Sequence, residues 1–182
     1  ILVDFDGNQL EGAGGKHSEW PIHSQILRAR PDINVVVHSH PFYASLWSAS
    51  VETLEPVTLD ADYFLAVPRH TDDVALITAK HEGDALAAAL GDKLAVLMAN
   101  HGVTFCGRTV EEATCVGIFL EKAAKAQVIS GAASLKTSFP GAEIRSRRHQ
   151  QIMTDRHIEH SWNFFRRKLA NRLNGASILY GS

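Results

Sequence analysis

Apolar and polar positions along the chain alternate between two kinds of block. Short runs rich in apolar and β-branched residues, "ILVDF", "NVVVHS", "KLAVLM" and "VTFCG", read as strands. The first, Ile1 to Phe5, ends in an Asp-Gly-Asn turn. Between these runs the spacing is helical. Ser18 is the expected N-cap of a first helix, Pro21 suits its first turn, and Ile22, Ile26 and Leu27 form its apolar stripe. Arg30-Pro31 stops it, because the residue before a proline avoids helical angles.

A short helix is expected through "FYASLWSAS", and "HEGDALAAALGD" predicts another ending near Gly91. Thr109, with Glu112 three positions on, predicts a capping box. The helix behind it is expected to run to about Ser130, with Gly131 as its stop. A last helix, about Arg147 to Leu173, would pack the aromatics of "HIEHSWNFFRRKL" on a neighbour and turn its basic residues to solvent. "EPVTLDADYFLAV" is ambiguous and partly strand-like, while "DDVALIT" reads as a short buried strand. Strands alternating with helices predict an α/β fold, a three-layer α/β/α arrangement around one central mixed sheet.

At 182 residues the chain is long enough for one domain with a real core, so residues 1–182 are read as a single domain. Its 45% hydrophobic and 21% charged content excludes a disordered chain. A net charge of -2 gives no electrostatic reason to expect nucleic acid or an anionic membrane as partner. No apolar run reaches the roughly 18 residues needed to span a bilayer. The chain begins inside a strand, without methionine or signal peptide, which leads us to expect that an N-terminal part is missing. Cys106 and Cys115 fit free buried thiols in a reducing compartment, so cytoplasmic is the default location.

Within "NVVVHSHPF" the period of two in a strand turns His38 and His40 to the same face. Alone, such a pair fits a metal site or two hydrogen-bonded structural histidines equally well. His101, where "MANHGV" ends a strand in a glycine turn, and Glu19, at the start of a helix, complete three imidazoles and one carboxylate. This is a ligand set for a borderline divalent cation, with room left for Lewis-acid chemistry on a substrate oxygen. Asn100, beside His101, is a candidate for orienting substrate, and Tyr43 for donating a hydrogen bond in the pocket. His23 is expected to pack or bond within its own helix. His157 and His160, three apart on one face, read as a packing or solvated face, with a second metal as the alternative. His70, His81 and His149 read as surface residues. Arg166 is a candidate for reaching a carboxylate substrate in a neighbouring subunit.

Taken together, "HSEW", "RARPDINVVVHSHPF" and "MANHGV" resemble the class II aldolase/adducin superfamily over roughly residues 1 to 130. The resemblance implies an α/β/α domain in a cyclic tetramer with active sites at subunit interfaces. It also implies a divalent metal, most commonly zinc with manganese, iron or cobalt as alternatives, held by His38, His40 and His101. Glu19 would bind the empty metal or act as acid/base. In sugar-phosphate members small hydroxyl residues before that glutamate bind phosphate. Ser18 keeps one such position, and His17 fills the other. The tyrosine proton donor of some aldolases has no counterpart in register: Asp60 stands there and Tyr63 lies three positions on. These departures lean the expectation toward the aromatic-acid branch, a metal-dependent lyase decarboxylating a hydroxylated aromatic or oxo acid through a metal-stabilised enolate or phenolate. The alternatives are a sugar-phosphate or hydroxy-acid aldolase or epimerase, a non-haem iron oxygenase, and a non-catalytic adducin-like assembly module.

Overall fold

The computed structural model describes residues 1–71 and 76–172. A hairpin of β1 (Leu2–Val3) and β2 (Gln9–Glu11) turns at the expected Asp6-Gly7-Asn8 and leads into α1 (Trp20–Ala29). There follow β3 (Val35–Ser39), α2 (Phe42–Ser48), a 3-10 turn over Leu59–Tyr63, β4 (Arg69–His70) and α3 (Lys80–Leu90). The chain continues through β5 (Ala95–Met98), β6 (Gly102–Gly107), α4 (Val110–Ala132), α5 (Ala142–Ile152) and α6 (Asp155–Arg172). The main sheet has the order β3-β6-β5-β4, with β6 antiparallel to β3 and β5 and β4 parallel to β5.

The three layers follow from the parity of the strands. Ala95, Leu97, Val103 and Phe105 face one core, with Val37 packed against it, and that core is roofed by α2, α4, α5 and α6. The intervening Val96, Met98 and Cys106, with Val36 against them, face a second core under α1 and α3. Both faces are covered, which is why these strands read as continuous apolar runs. His38 and Thr104 share the parity of Val36 and Cys106, so both stand on the α1 side.

Arg30 explains the Arg-Pro-Asp stretch. Its guanidinium bonds both oxygens of Asp32 at 2.7 Å and the carbonyls of Gly91 and Lys93 at 2.8 and 2.9 Å. That fork ties the end of α1 to the end of α3.

Several expectations change. The opening strand is only Leu2–Val3. The ambiguous stretch forms a 3-10 turn, with no strand, while the short β4 follows it. Glu19, not Ser18, is the N-cap residue of α1, and no side chain caps it. Thr109 Oγ1 accepts from Glu112 N as expected, but the Glu112 carboxylate takes Arg108 N at 2.7 Å instead of closing the box on Thr109. α4 runs through Gly131 to Ala132, and Ser134 takes the left-handed conformation, at φ 52°. The last helix is two helices. Arg145 and Arg148 of α5 converge on the buried Asp62, while His157 N donates to Thr154 Oγ1 at the start of α6. His70 is buried and His149 Nδ1 bonds the Asp62 carbonyl, so neither is a plain surface residue. "DDVALIT" falls largely outside the described residues, as does Leu173. Both cysteines are free and buried. Among the described residues no helix is long and apolar enough to cross a membrane.

Candidate metal centre

The C-terminal end of β3 and the β5–β6 turn bring three imidazoles together. The ring centroids of His38, His40 and His101 stand 4.8, 5.0 and 5.1 Å apart, and one nitrogen from each lies within 4.8 Å of the others. His38 is paired in the ladder opposite Thr104, whereas His40 sits one residue beyond the last paired position, Ser39. His101 is delivered by a tight turn in which its N–H donates to Met98 O at 3.0 Å. Asn100 takes φ 56° there, a left-handed conformation that asparagine tolerates better than most residues.

Glu19 is brought under the same cluster by the start of α1 and is 4% exposed. Its Oε1 accepts from Ile77 N at 3.1 Å and stands 3.8 Å from His101 Nε2. Its Oε2 lies 3.7 Å from His38 Nε2. Burial lowers the His38 pKa from its ordinary 6.5 to about 4, against the raising effect of Glu19, so at neutral pH that contact is no ion pair.

His38 shows that the residues fit a metal. Its Nδ1 donates to Val103 O at 3.1 Å, with Thr104 Oγ1 at 3.3 Å. The Thr104 hydroxyl is then free to donate to Met98 Sδ at 3.3 Å. That arrangement leaves Nε2 as the lone-pair nitrogen, and Nε2 is buried without a hydrogen-bond partner. A neutral imidazole fixed by a backbone carbonyl, its other nitrogen grouped with two more imidazoles and near a carboxylate, is the donor set of a divalent cation. Among the described residues this is the one such group of three metal-ligating side chains.

Of the other expected residues, Ser18 is exposed beside Glu19, and His17 Nδ1 accepts from Glu19 N at 3.2 Å. Tyr43 packs on the opposite sheet face against the α4 core, its ring under Lys125 Nζ at 5.2 Å. Tyr63 is buried and stacked on Phe119 with centroids 3.8 Å apart, in the core and not at the histidines. His23 bonds Val36 O across to β3 at 3.0 Å instead of within its helix. His157 and His160 line an aromatic cleft with Tyr63, Phe164 and Phe165.

Sequence reading missed the groups that hold the cluster in place: Ile77 N–H, Val103 O, Thr104 and Gly102. A Cβ at Gly102 would lie 2.4 Å from His40 Cδ2. The glycine after His101 was the available signal, since a glycine needed for space, without positive φ, marks a close approach.

Comparison with known proteins gives the family and the fold. The model of the Class II Aldolase and Adducin N-terminal domain matches residues 1–128. A 3,4-dihydroxyphthalate decarboxylase of Arthrobacter keyseri is 34% identical over 148 residues, 74% of this chain and 59% of the relative. A 4-hydroxy-3-prenylphenylpyruvate oxygenase/4-hydroxy-3-prenylbenzoate synthase of Streptomyces roseochromogenus subsp. oscitans is 32% identical over 156 residues, 83% of this chain and 56% of the relative. The chain therefore spans a little over half the length of these relatives. The crystal structure of an aldolase II superfamily protein from Pseudomonas syringae superposes with a TM-score of 0.80 at 29% identity, covering 93% of this chain and 70% of that one. With the family model spanning most of its length and the three-histidine end of the sheet in place, the chain belongs to the class II aldolase and adducin family.

Proposed function

We propose that the chain carries the metal centre of a divalent-metal-dependent C–C lyase acting on a small oxygenated substrate, in the direction of decarboxylating a hydroxylated aromatic or oxo acid. The observation that carries this reading is the buried Nε2 of His38, without a hydrogen-bond partner, grouped with His40 and His101 and facing, with His101, the Glu19 carboxylate. The decarboxylase name of a relative at 34% identity supports the direction of the chemistry.

His38, His40 and His101 would hold the ion, zinc by default and manganese, iron or cobalt as alternatives. When bound, the ion supplies Lewis-acid stabilisation of the negative charge that reaches a substrate oxygen as the C–C bond breaks. Glu19 is the acid/base. Ile77 N–H fixes one of its oxygens, and the other is left to pass a proton to the carbon that loses its carboxylate. The low exposure of Glu19 and of the His38 side chain excludes water from the inner wall, while His40 and the flanking Ser18 and Asn100 stand on the open side, where substrate enters. The reading includes a homo-oligomer, a tetramer with sites at subunit interfaces.

Replacing His38 and His40 together by alanine tests it. The expected result is loss of bound metal by elemental analysis and of turnover on a panel of hydroxylated aromatic acids. Full activity in that variant would refute the lyase reading. The relative named as an oxygenase supports a second reading, iron-dependent oxygenation at the same histidines. Iron in anaerobically purified protein, with oxygen consumed per product, would select it over the lyase.

A further inference from the structure

α2 is a helix of seven residues that begins two residues after His40; Ala49 N and Ser50 N close its last turn, but no side chain of its own caps its N-terminus. Its N-cap is Pro41, in extended conformation, which has no side-chain acceptor. A helix this short leaves most of its first and last backbone groups without intrahelical partners. Side chains of other elements bond both ends, and at the N-terminus they supply the cap. Tyr43 N and Ala44 N donate to the two carboxylate oxygens of Glu121, from the middle of α4, at 3.0 and 2.8 Å. At the other end the Arg69 guanidinium donates to the carbonyls of Trp47, Ser48 and Glu52. An anion at the N-terminus and a cation at the C-terminus also match the helix dipole.

His40 depends on that arrangement more than its partners do. His38 is paired in the ladder, bonded through Nδ1 and buried. His40 is exposed and lies past the last paired residue, and only Pro41 separates it from the helix. Its backbone is therefore held on one side by Ser39, paired with Val103, and on the other by the seat of α2 on α4.

We propose that Glu121 is the positioning residue for His40: by gripping the first amides of α2 it sets the direction from which that imidazole enters the cluster. The proposal rests on the metal reading only for its consequence, since the geometry it concerns exists without an ion.

The test uses the full chain with Glu121→Ala, Glu121→Gln and, as a comparison at the far end of the same helix, Arg69→Gln. In metal-free protein, imidazole nitrogen–proton correlation spectra should show the His40 signals displaced in Glu121→Ala and those of His38 unmoved. Glu121→Gln, which keeps one carbonyl acceptor and folds if the alanine variant does not, should show a smaller displacement. Arg69→Gln should lower the melting temperature and leave His40 in place. Zinc competition against a chelator should show a 10- to 100-fold weaker site in Glu121→Ala, the range for groups that orient a metal-binding imidazole. Unmoved His40 signals in both Glu121 variants would overturn the proposal, as would an equal displacement in Arg69→Gln, which would mark a general loosening of α2. Failure of zinc, manganese, iron and cobalt alike to bind the unaltered protein would refute the metal reading alone, and the metal-free spectra would still decide the role of Glu121.

Discussion

At Gly102 the backbone passes so close to the end of β3 that an added Cβ would stand 2.4 Å from His40 Cδ2 and 2.8 Å from Ser39 O. The imidazole can turn away, but the Ser39 carbonyl is part of a paired strand and cannot. Gly102→Ala is therefore expected to cost about 1–3 kcal/mol of stability, as overpacking does. Metal affinity should fall about 10- to 100-fold, the size seen when support around a metal ligand is lost. Thermal unfolding and chelator competition measure the two, and wild-type affinity in this variant would mean His40 is no ligand. The same neighbourhood shows what the sequence could and could not disclose. The period of two put His38 and His40 on one side of a strand, and a helix start put Glu19 in reach of chemistry. Nothing in the order of residues pairs Glu19 with Ile77 or His38 with Val103, because those contacts span 58 and 65 positions and exist only after the sheet has formed.

Among the elements, β5, β6 and the helices α1, α3 and α4 were legible because each has a long periodic or apolar pattern bounded by a turn. The region after α4 was not. α5 and α6 have the same charged, aromatic-flecked composition, so a single helix from about Arg147 was the natural reading. What divides them is an anchor in a distant element. The Asp62 carboxylate, fully buried in the 3-10 turn, lies 3.2 Å from Arg148 Nη1 and 3.5 Å from Arg145 Nε. A buried carboxylate needs such partners, and two from one helix fix where that helix lies. Asp62→Ala should release α5 at a cost of about 1–3 kcal/mol, below the full penalty of a broken buried pair because both arginines reach solvent. Hydrogen exchange is expected to speed up over Ala142–Ile152. Metal content should not change, since the anchor lies away from the histidines; a parallel loss of metal would show the two regions to be coupled.

For the molecule as a whole, the neutral state of His38 links stability to pH and to metal. In the metal-free protein its pKa is about 4, against an ordinary 6.5 once unfolded, with burial as the leading cause. Between those values the unfolded chain binds more protons than the folded one, so stability falls as pH drops from 6.5 toward 4 and levels off below. Solvent screening discounts this contribution to about 2 kcal/mol, or roughly 4–8 °C in melting temperature for a chain of this size. Burial lowers His23 too, which adds to the same slope. A divalent ion acts in the opposite sense. At 100 times its dissociation constant a ligand of the folded state contributes about 2.7 kcal/mol, roughly 5–10 °C here. His38 offers that ion an unprotonated nitrogen down to pH near 4, so proton competition at this ligand sets in only there. Melting curves from pH 7 to pH 4 in a chelator, repeated with excess zinc, measure both effects. His38→Asn, which does not titrate, should show a shallower slope in the chelator and a diminished zinc increment. Parallel curves for the two proteins would mean that the fold does not hold His38 neutral, and the imidazole cluster would then lose its claim to be a preformed metal site.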